Sequence, residues 1–405
     1  MKRLITPAIM VILTLTLAAC TTAPQAGGGT AAQLARQLNA IHEGSARVSG
    51  NTVTLTRNVG IERDLTVPAG VTLELTEDGG LWLRNGRTLT VNGTVNAPSN
   101  KIGFDDEGGR TAPSITINGN GTINLRSNGR LLNIDNGKKL TLDGVMLVGV
   151  DDNDSPLVSV NEGGEFVLLS GAITGNALAG DSGNGGGVAI NGGTFIMSGG
   201  AITGNNAGIG GGVWIEAGGT FTMSGGEISG NSADRFGGGG VRVTGQGTTF
   251  TMSGGEISGN TTGGDGGGVQ ADRGSVFRMT GGEISGNNAS GGGGVIIALG
   301  TTFTMNDGVI SGNTATHSNG GGGVQVGDQA TFTMNGGTIY GASAQGDNAN
   351  IAPRTAALRV YGSATAAKWG TGGTYTSGGV NQSGGGNIVP RDSGTNDTLI
   401  AIPAR

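Results

Sequence analysis

Between residues 166 and 340 the apolar positions recur at long, nearly constant intervals. Phe166, Phe195, Phe221, Phe250, Phe277, Phe303 and Phe332 follow one another every 26 to 29 residues. A Met stands two residues after each of the last six, from Met197 to Met334. Seven residues after every Phe comes an Ile, from Ile173 to Ile339. Three residues after the first six of these comes an Asn: Asn176, Asn205, Asn231, Asn260, Asn287 and Asn313. A Gly-Gly-Val completes each repeat, at Val188, Val213, Val241, Val269, Val295 and Val324. Phe-x-Met and Val-x-Ile alternate with a period of two, which marks strands with one face inward. A period of this length marks a solenoid. Three short apolar strands per repeat, separated by Gly, Ser and Asn, predict an all-β fold: a right-handed parallel β-helix. Coils about 4.8 Å apart would set Phe on Phe, Ile on Ile and Val on Val. The Asn series predicts an amide ladder in one turn.

Upstream the alternation is looser but of the same kind, as in Leu65/Val67, Leu73/Leu75, Leu89/Val91, Ile115/Ile117, Ile123/Leu125 and Leu140/Leu142. Residues 45–165 are expected to form about five irregular coils and 166–340 about six or seven regular ones, in a stack roughly 50 to 60 Å long. Before them, Thr30-Ala31-Ala32-Gln33 fits a capping box. Leu34, Leu38 and Ile41 follow at helical spacing, and Gly44 can end the helix. A short helix over 30–44 is therefore expected to cap the first coil. Residues 341–405, rich in Gly and Thr, are expected to form a C-terminal cap.

Composition alone points elsewhere. With 87 Gly and 9 Pro in 405 residues, low-complexity disorder would be the default, and only the long period overrides it. Gly does not recur every third residue, which excludes collagen. A net charge of −6 without basic clusters leaves no footprint for nucleic acid. Cys20 is the only Cys, so no internal disulfide can form.

The cationic Met1-Lys2-Arg3 and the apolar run from Leu4 to Leu17 read as a secretory signal, too short for a stable spanning helix. The run ends in Leu17-Ala18-Ala19-Cys20, which resembles a bacterial lipobox. The resemblance implies a signal peptide over 1–19, lipidation of Cys20 and membrane attachment through that lipid. Residues 20–29 would be a flexible tether. Thr21 after the Cys, rather than Asp, implies the outer membrane and cell surface.

Phe221 to Asn231 and Phe250 to Asn260 both read Phe-Thr-Met-Ser-Gly-Gly-Glu-Ile-Ser-Gly-Asn. This resembles the repeat of bacterial surface β-helix proteins of the pectate-lyase-like superfamily. Gly199-Gly200-Ala201-Ile202 is similar to the repeat of polymorphic membrane protein passenger domains, a likeness that implies an adhesin. Those passengers end in a translocating barrel of at least about eight strands. The 65 residues after residue 340 do not supply one, so the chain departs from that pattern.

Phe to Asn is always ten residues, whereas Asn to the next Val varies from eight to twelve. The first arc is thus scaffold and the second a loop, and the loops should align on one edge, where binding usually lives. They carry Asp181-Ser182, Asp234-Arg235-Phe236, Asp265 and His317-Ser318-Asn319. Between the inward Val and its partner stands one outward residue: Ala189, Trp214, Arg242, Gln270, Ile296 or Gln325. Trp214, Arg242, Asp234, Arg235 and His317 are the binding candidates, Trp214 as an aromatic contact for sugar or protein.

Thr220/Thr222, Thr249/Thr251, Thr302/Thr304 and Thr331/Thr333 would form an outward array that resembles those of ice-binding β-solenoids, interrupted by Val276/Arg278. Thr is also a good solvent-face strand residue. Glu227, Glu256 and Glu283 would stack outward.

Asp105-Asp106-Glu107 and Asp151-Asp152-Asn153-Asp154 are the acidic clusters. Asp105, Asp106, Asp151 and Asp152 are the catalytic candidates, since paired carboxylates perform acid/base work on polysaccharides. Gly180-Asp181-Ser182-Gly183 looks like a serine-protease nucleophile motif, but His42 and His317 are the only bases, and His42 falls in the capping helix. No metal-ligand or phosphate-loop motif occurs, and no cofactor is expected. The expectation is a surface-anchored, non-catalytic β-helix for adhesion or for glycan or matrix binding. A polysaccharide lyase or hydrolase is the alternative, and a structural spacer a third reading.

Overall fold

The computed structural model describes residues 30–105, 113–180, 183–234, 237–317, 320–340 and 350–352, and five short strands between Leu358 and Ile402. Cys20, Asp106 and Arg235 lie outside the described residues, as do Asp181, Ser182, Phe236, Ser318 and Asn319. The same holds for the signal and tether segments and for most of the C-terminal cap.

The chain winds into an all-β parallel solenoid of about ten turns with one short helix near its N-terminus. One regular coil shows the plan. Val213–Glu216, Thr220–Met223 and Glu227–Ser229 form its three main strands. Each pairs in parallel and in register with the same strand of the coils above and below. All seven repeat phenylalanines are fully buried. Their rings stack into one column with centroids 4.4 to 5.0 Å apart. The irregular coils join the same ladders: Lys139–Asp143 pairs with Glu165–Leu168, so the stack has no break at residue 165.

A fourth ladder adds to the three expected. Asn206–Ala207, Ser232–Ala233, Thr261–Thr262, Asn288–Ala289 and Thr314–Ala315 pair in parallel directly after the Asn positions. Its inward residues are small because they close the corner of the core: Ala207, Ala233, Thr262, Ala289 and Ala315 are buried.

The helix is Ala31–Ile41. Gln33 N–H donates to Thr30 Oγ1 (3.2 Å), and Thr30 N–H donates to Gln33 Oε1 (2.6 Å), completing the capping box. Leu34 and Leu38 close the end of the core, but Ile41 is 43 % exposed and stands outside the expected stripe. Next to it, Ala46–Ser49 pairs antiparallel with Thr52–Leu55. Asn39 bonds both the N–H and C=O of Ala46 (2.8 and 2.9 Å), plugging part of that open edge.

The Asn ladder is longer than its six sequence members, because Asn153 and Asn350 extend it at either end. Each central amide repeats one pattern. Asn260 Oδ1 accepts from Asn231 N–H and Asn231 Nδ2, both at 3.0 Å. Asn260 Nδ2 donates to Ile228 O (2.8 Å) and Asn287 Oδ1 (3.0 Å). All eight side chains are buried. Asn fits because its short planar amide offers two N–H donors and a carbonyl acceptor, enough to bond the coils on both sides.

The glycine runs before each Val are a stacked backbone ladder rather than loose loop. Gly211 N–H bonds Gly238 O, Gly239 N–H bonds Gly266 O and Gly267 N–H bonds Gly292 O, at 3.1 to 3.2 Å. Gly240 must lack a side chain, since a Cβ there would stand 2.7 Å from Gly268 O. Gly255 faces a double restriction: its φ is +82°, and a Cβ would meet Met223 Cε at 2.7 Å.

Asn260→Ala is expected to lose about 3 to 5 kcal/mol, since it strands the Asn231 amide and the Ile228 carbonyl without partners. Thermal melts would measure the loss, and hydrogen exchange should show the Asn231 amide deprotected. Gly240→Ala should destabilise comparably, whereas Ser224→Ala at a nearby corner should be nearly neutral.

Candidate functional site

Two recesses lie along one side of the solenoid. The first sits on a three-stranded sheet, Val59–Ile61, Leu81–Leu83 and Ile102–Phe104, in parallel register, whose last strand lies beside Leu132–Ile134, the first strand of the nine-stranded Val-type sheet. Leu81 and Leu83 are buried, which turns Trp82 outward. In the next coil its partner is Gly103. With no side chain there, the indole lies against the sheet: a Cβ on Gly103 would stand 3.1 Å from Trp82 Cζ3. Trp82 is half-buried, and its indole N–H has no hydrogen-bond partner among the described residues. It forms the floor of a recess of about 530 Å³.

The walls of this recess are polar and tied together. Asn161 Nδ2 donates to Asn133 Oδ1 (3.1 Å) and to Asp135 Oδ1 (2.7 Å). Asn133 Nδ2 donates to the Asp135 carboxylate (2.9 Å), and Arg130 Nη1 donates to Asn133 Oδ1 (3.4 Å). Lys138 lies 3.8 Å from Asp135, with its ammonium 5.4 Å from the Phe104 ring centroid. The Ser99 hydroxyl accepts from Arg130 N–H (3.0 Å) and donates to Arg130 O (3.3 Å). Asn153, the first rung of the amide ladder, grips both the N–H and the C=O of Gly129 (2.7 and 2.8 Å). A flat aromatic floor with fixed amide, hydroxyl, carboxylate and cationic walls suits a ring with an apolar face and polar edges.

The second recess, about 320 Å³, lies further along the same side and is lined by Trp214, Arg242, Glu216, Thr244, Arg273, Asn184 and Ile209. The outward column Ala189, Trp214, Arg242, Gln270, Ile296 and Gln325 is in register as expected. Most of it is closed to solvent, however: Trp214 is 8 % and Arg242 7 % exposed, and only Gln270 is half-buried. The glycine runs fold over their own strands. A Cβ on Gly210 would stand 3.0 Å from Trp214 Cβ, and one on Gly238 2.8 Å from Arg242 Cβ.

Under this cover Arg242 pairs with Asp272 at 2.6 Å, and the Thr244 hydroxyl donates to the same carboxylate at 2.6 Å. Burial pulls the Arg242 guanidinium down from its ordinary pKa, against the opposing pull of Asp272. Burial pushes the Glu216 carboxyl up.

The acidic candidates do not form a common centre. Asp105 is bound to Arg84 Nε at 3.1 Å, and Arg84 also pairs with Glu62 at 2.9 Å. Asp151 and Asp152 are exposed on a turn in which Asp152 takes a φ of +54°. The buried member of that run is Asn153, which belongs to the amide ladder. None of the three carboxylates lines the Trp82 recess, which Asp135 and Asp154 do line. Asp234 and His317 are exposed on loops three coils apart.

The Thr pairs stack in register, as do Glu227, Glu256 and Glu283. No group of three or more His, Cys, Asp or Glu gathers as a metal site among the described residues.

Trp82 and its walls escaped the sequence reading because these coils lack the regular repeat. The signal was present in Leu81-Trp82-Leu83, whose alternation turns the indole outward.

Asp265 joins neighbouring loops. Burial raises its pKa from the ordinary 3.8, while the His317 charge, the Arg242 charge and a hydrogen bond from Gly291 N–H oppose the rise. A carboxyl with a raised native pKa contributes fully below pH 3.8 and loses that contribution as pH climbs through the native value. Asp265→Asn should therefore gain on the wild type across that window, by under about 1 kcal/mol given the group's partial solvent contact. Thermal melts of both proteins over the acid range would test this, and a flat difference would contradict the burial effect.

No protein family, no curated protein and no solved structure matches this chain.

Proposed function

We propose that this chain is a lipid-anchored surface β-helix that binds glycan without catalysing a reaction. The Trp82 recess carries the reading. It joins one half-exposed indole, lying flat on the sheet, to side chains already fixed by Asn161, Ser99 and Asn153. Sugar rings present an apolar face and a polar rim, and the recess offers the complement of both. Walls ordered before binding lose little entropy when a ligand arrives. The rigid solenoid supports a display role, because a stack of this kind holds its surface at a distance from its anchor. The Leu17-Ala18-Ala19-Cys20 motif supports attachment through lipid on Cys20 and export to the cell surface.

Two experiments test this reading. On a glycan array, the full-length protein is expected to bind a defined set of sugars, and Trp82→Ala should weaken that binding about tenfold, as the loss of one aromatic contact implies. An unchanged array profile would remove the recess from consideration. Protease treatment of intact cells should strip the repeat region from the surface. Protection until lysis would place the protein inside the envelope and end the display role.

A further inference from the structure

We infer that the Trp82 and Trp214 recesses act together as two subsites for one linear glycan lying along the solenoid axis. The inference rests on the glycan reading of the Trp82 recess and names the form of its ligand.

The two recesses are joined by one outward column. Asn133 lines the first recess beside Trp82, and from it the column runs in register through Ser159 and Ala189 to Trp214, while Gly103, the partner of Trp82, lies on the strand beside Leu132–Ile134. Five coil spacings separate the two rings, about 24 Å.

The residues between them are small, and Ser159 and Ala189 are buried at 1 % and 2 % exposure. A ligand joining the subsites therefore crosses a roof of loop rather than the bare sheet. That roof is narrow. Ser155 stands at the near rim of the first recess and Asn184 at the near rim of the second. These residues lead into consecutive strands, Val158–Asn161 and Val188–Asn191, so the rims lie about one coil spacing apart, roughly 5 Å.

The second recess is built for a sugar edge rather than a ring face. Little of the Trp214 indole is open, and its N–H has no hydrogen-bond partner among the described residues. Around it stand the Thr244 hydroxyl, the Glu216 carboxyl and the exposed Arg273, which takes a φ of +55° at the corner after Asp272. These groups offer donors and acceptors to hydroxyls, while the indole N–H donates from the floor. One ligand filling both recesses must be long and unbranched, spanning about five rings at about one ring per coil spacing. Binding at the second subsite then becomes intramolecular, and avidity follows from chain length.

The test measures affinity against length with the full-length protein. The probes are fragments of chitin, β-1,4-glucan and polygalacturonate of about two to about eight sugars. For the series that binds, affinity is expected to rise about tenfold or more once fragments exceed about five sugars. Trp214→Ala and Arg273→Asn should each bring the long-to-short affinity ratio close to one. Asn tolerates the left-handed backbone of position 273, so the second variant keeps the test meaningful if the first unfolds. Suppose short fragments bind in a Trp82-dependent manner without any length step. The two-subsite inference then falls while the Trp82 reading stands. A step that survives in a folded Arg273→Asn or Trp214→Ala protein also overturns the inference. Failure of the wild type to bind any fragment overturns both.

Discussion

Parallel backbone pairing fixes each coil about 4.8 Å above the last, and the side chains have no freedom to depart from that spacing. Every inward position must therefore hold a residue that packs against its own kind. Phe does so by stacking rings at 4.4 to 5.0 Å, close to the coil repeat itself. Asn does so with an amide that passes hydrogen bonds from coil to coil while its Nδ2 also satisfies an Ile carbonyl. Apolar packing fills the core, and the amide ladder satisfies the backbone at the corner where strand pairing lapses. Neither substitutes for the other, because a corner left without acceptors would bury unpaired N–H groups.

The same spacing explains the glycines and, through them, the location of the site. In the regular coils the chain returns over the outward face of its own Val-type strand, and only residues without Cβ fit between successive coils. These runs seal the column beneath them, so Arg242, Ile296 and Gln325 are buried although they point away from the core. Before Ile102–Phe104 the chain reads Ser99-Asn100-Lys101 in place of a glycine run, and although Gly79-Gly80 precedes Leu81–Leu83, Trp82 remains half-buried at the edge of a recess. Regular sequence thus yields a closed, self-supporting shaft. The irregular coils, less constrained by the repeat, are where a surface can be shaped.

The sequence made the shaft legible because a repeat samples the same environment many times. Phe166 to Phe332, the Ile and Val series and the Asn corner all stand where their periodicity put them. The fourth ladder was missed because its inward residue is only Ala or Thr, too small to register as a strand signal. For the outward column, period-two alternation gives direction but not cover, so the sequence alone does not fix its exposure. Trp214 does point outward, and the glycine run that hides it comes from the same coil. Trp82 was overlooked for the converse reason. It occurs once, in a coil without a repeat, and its opening depends on Gly103 in the next coil, a pairing that only the register reveals.

Shaft and site are joined at Asn153. Its Nδ2 donates to Asn176, the next rung of the ladder, and the same residue holds Gly129 at the wall of the Trp82 recess. The recess wall is therefore the terminal element of a hydrogen-bonded column that runs to Asn350. From Asn205 onward each amide donates to the next, while Asn176 joins the column through its backbone N–H and spends its own Nδ2 on Ser155 O and Gly186 O, fixing the turn that carries Asn153. The wall of the recess is thereby ordered by hydrogen bonds within the protein itself. The acidic run around Asn153 fits the same logic: Asp151, Asp152 and Asp154 are exposed because the turn exists to deliver the buried amide between them.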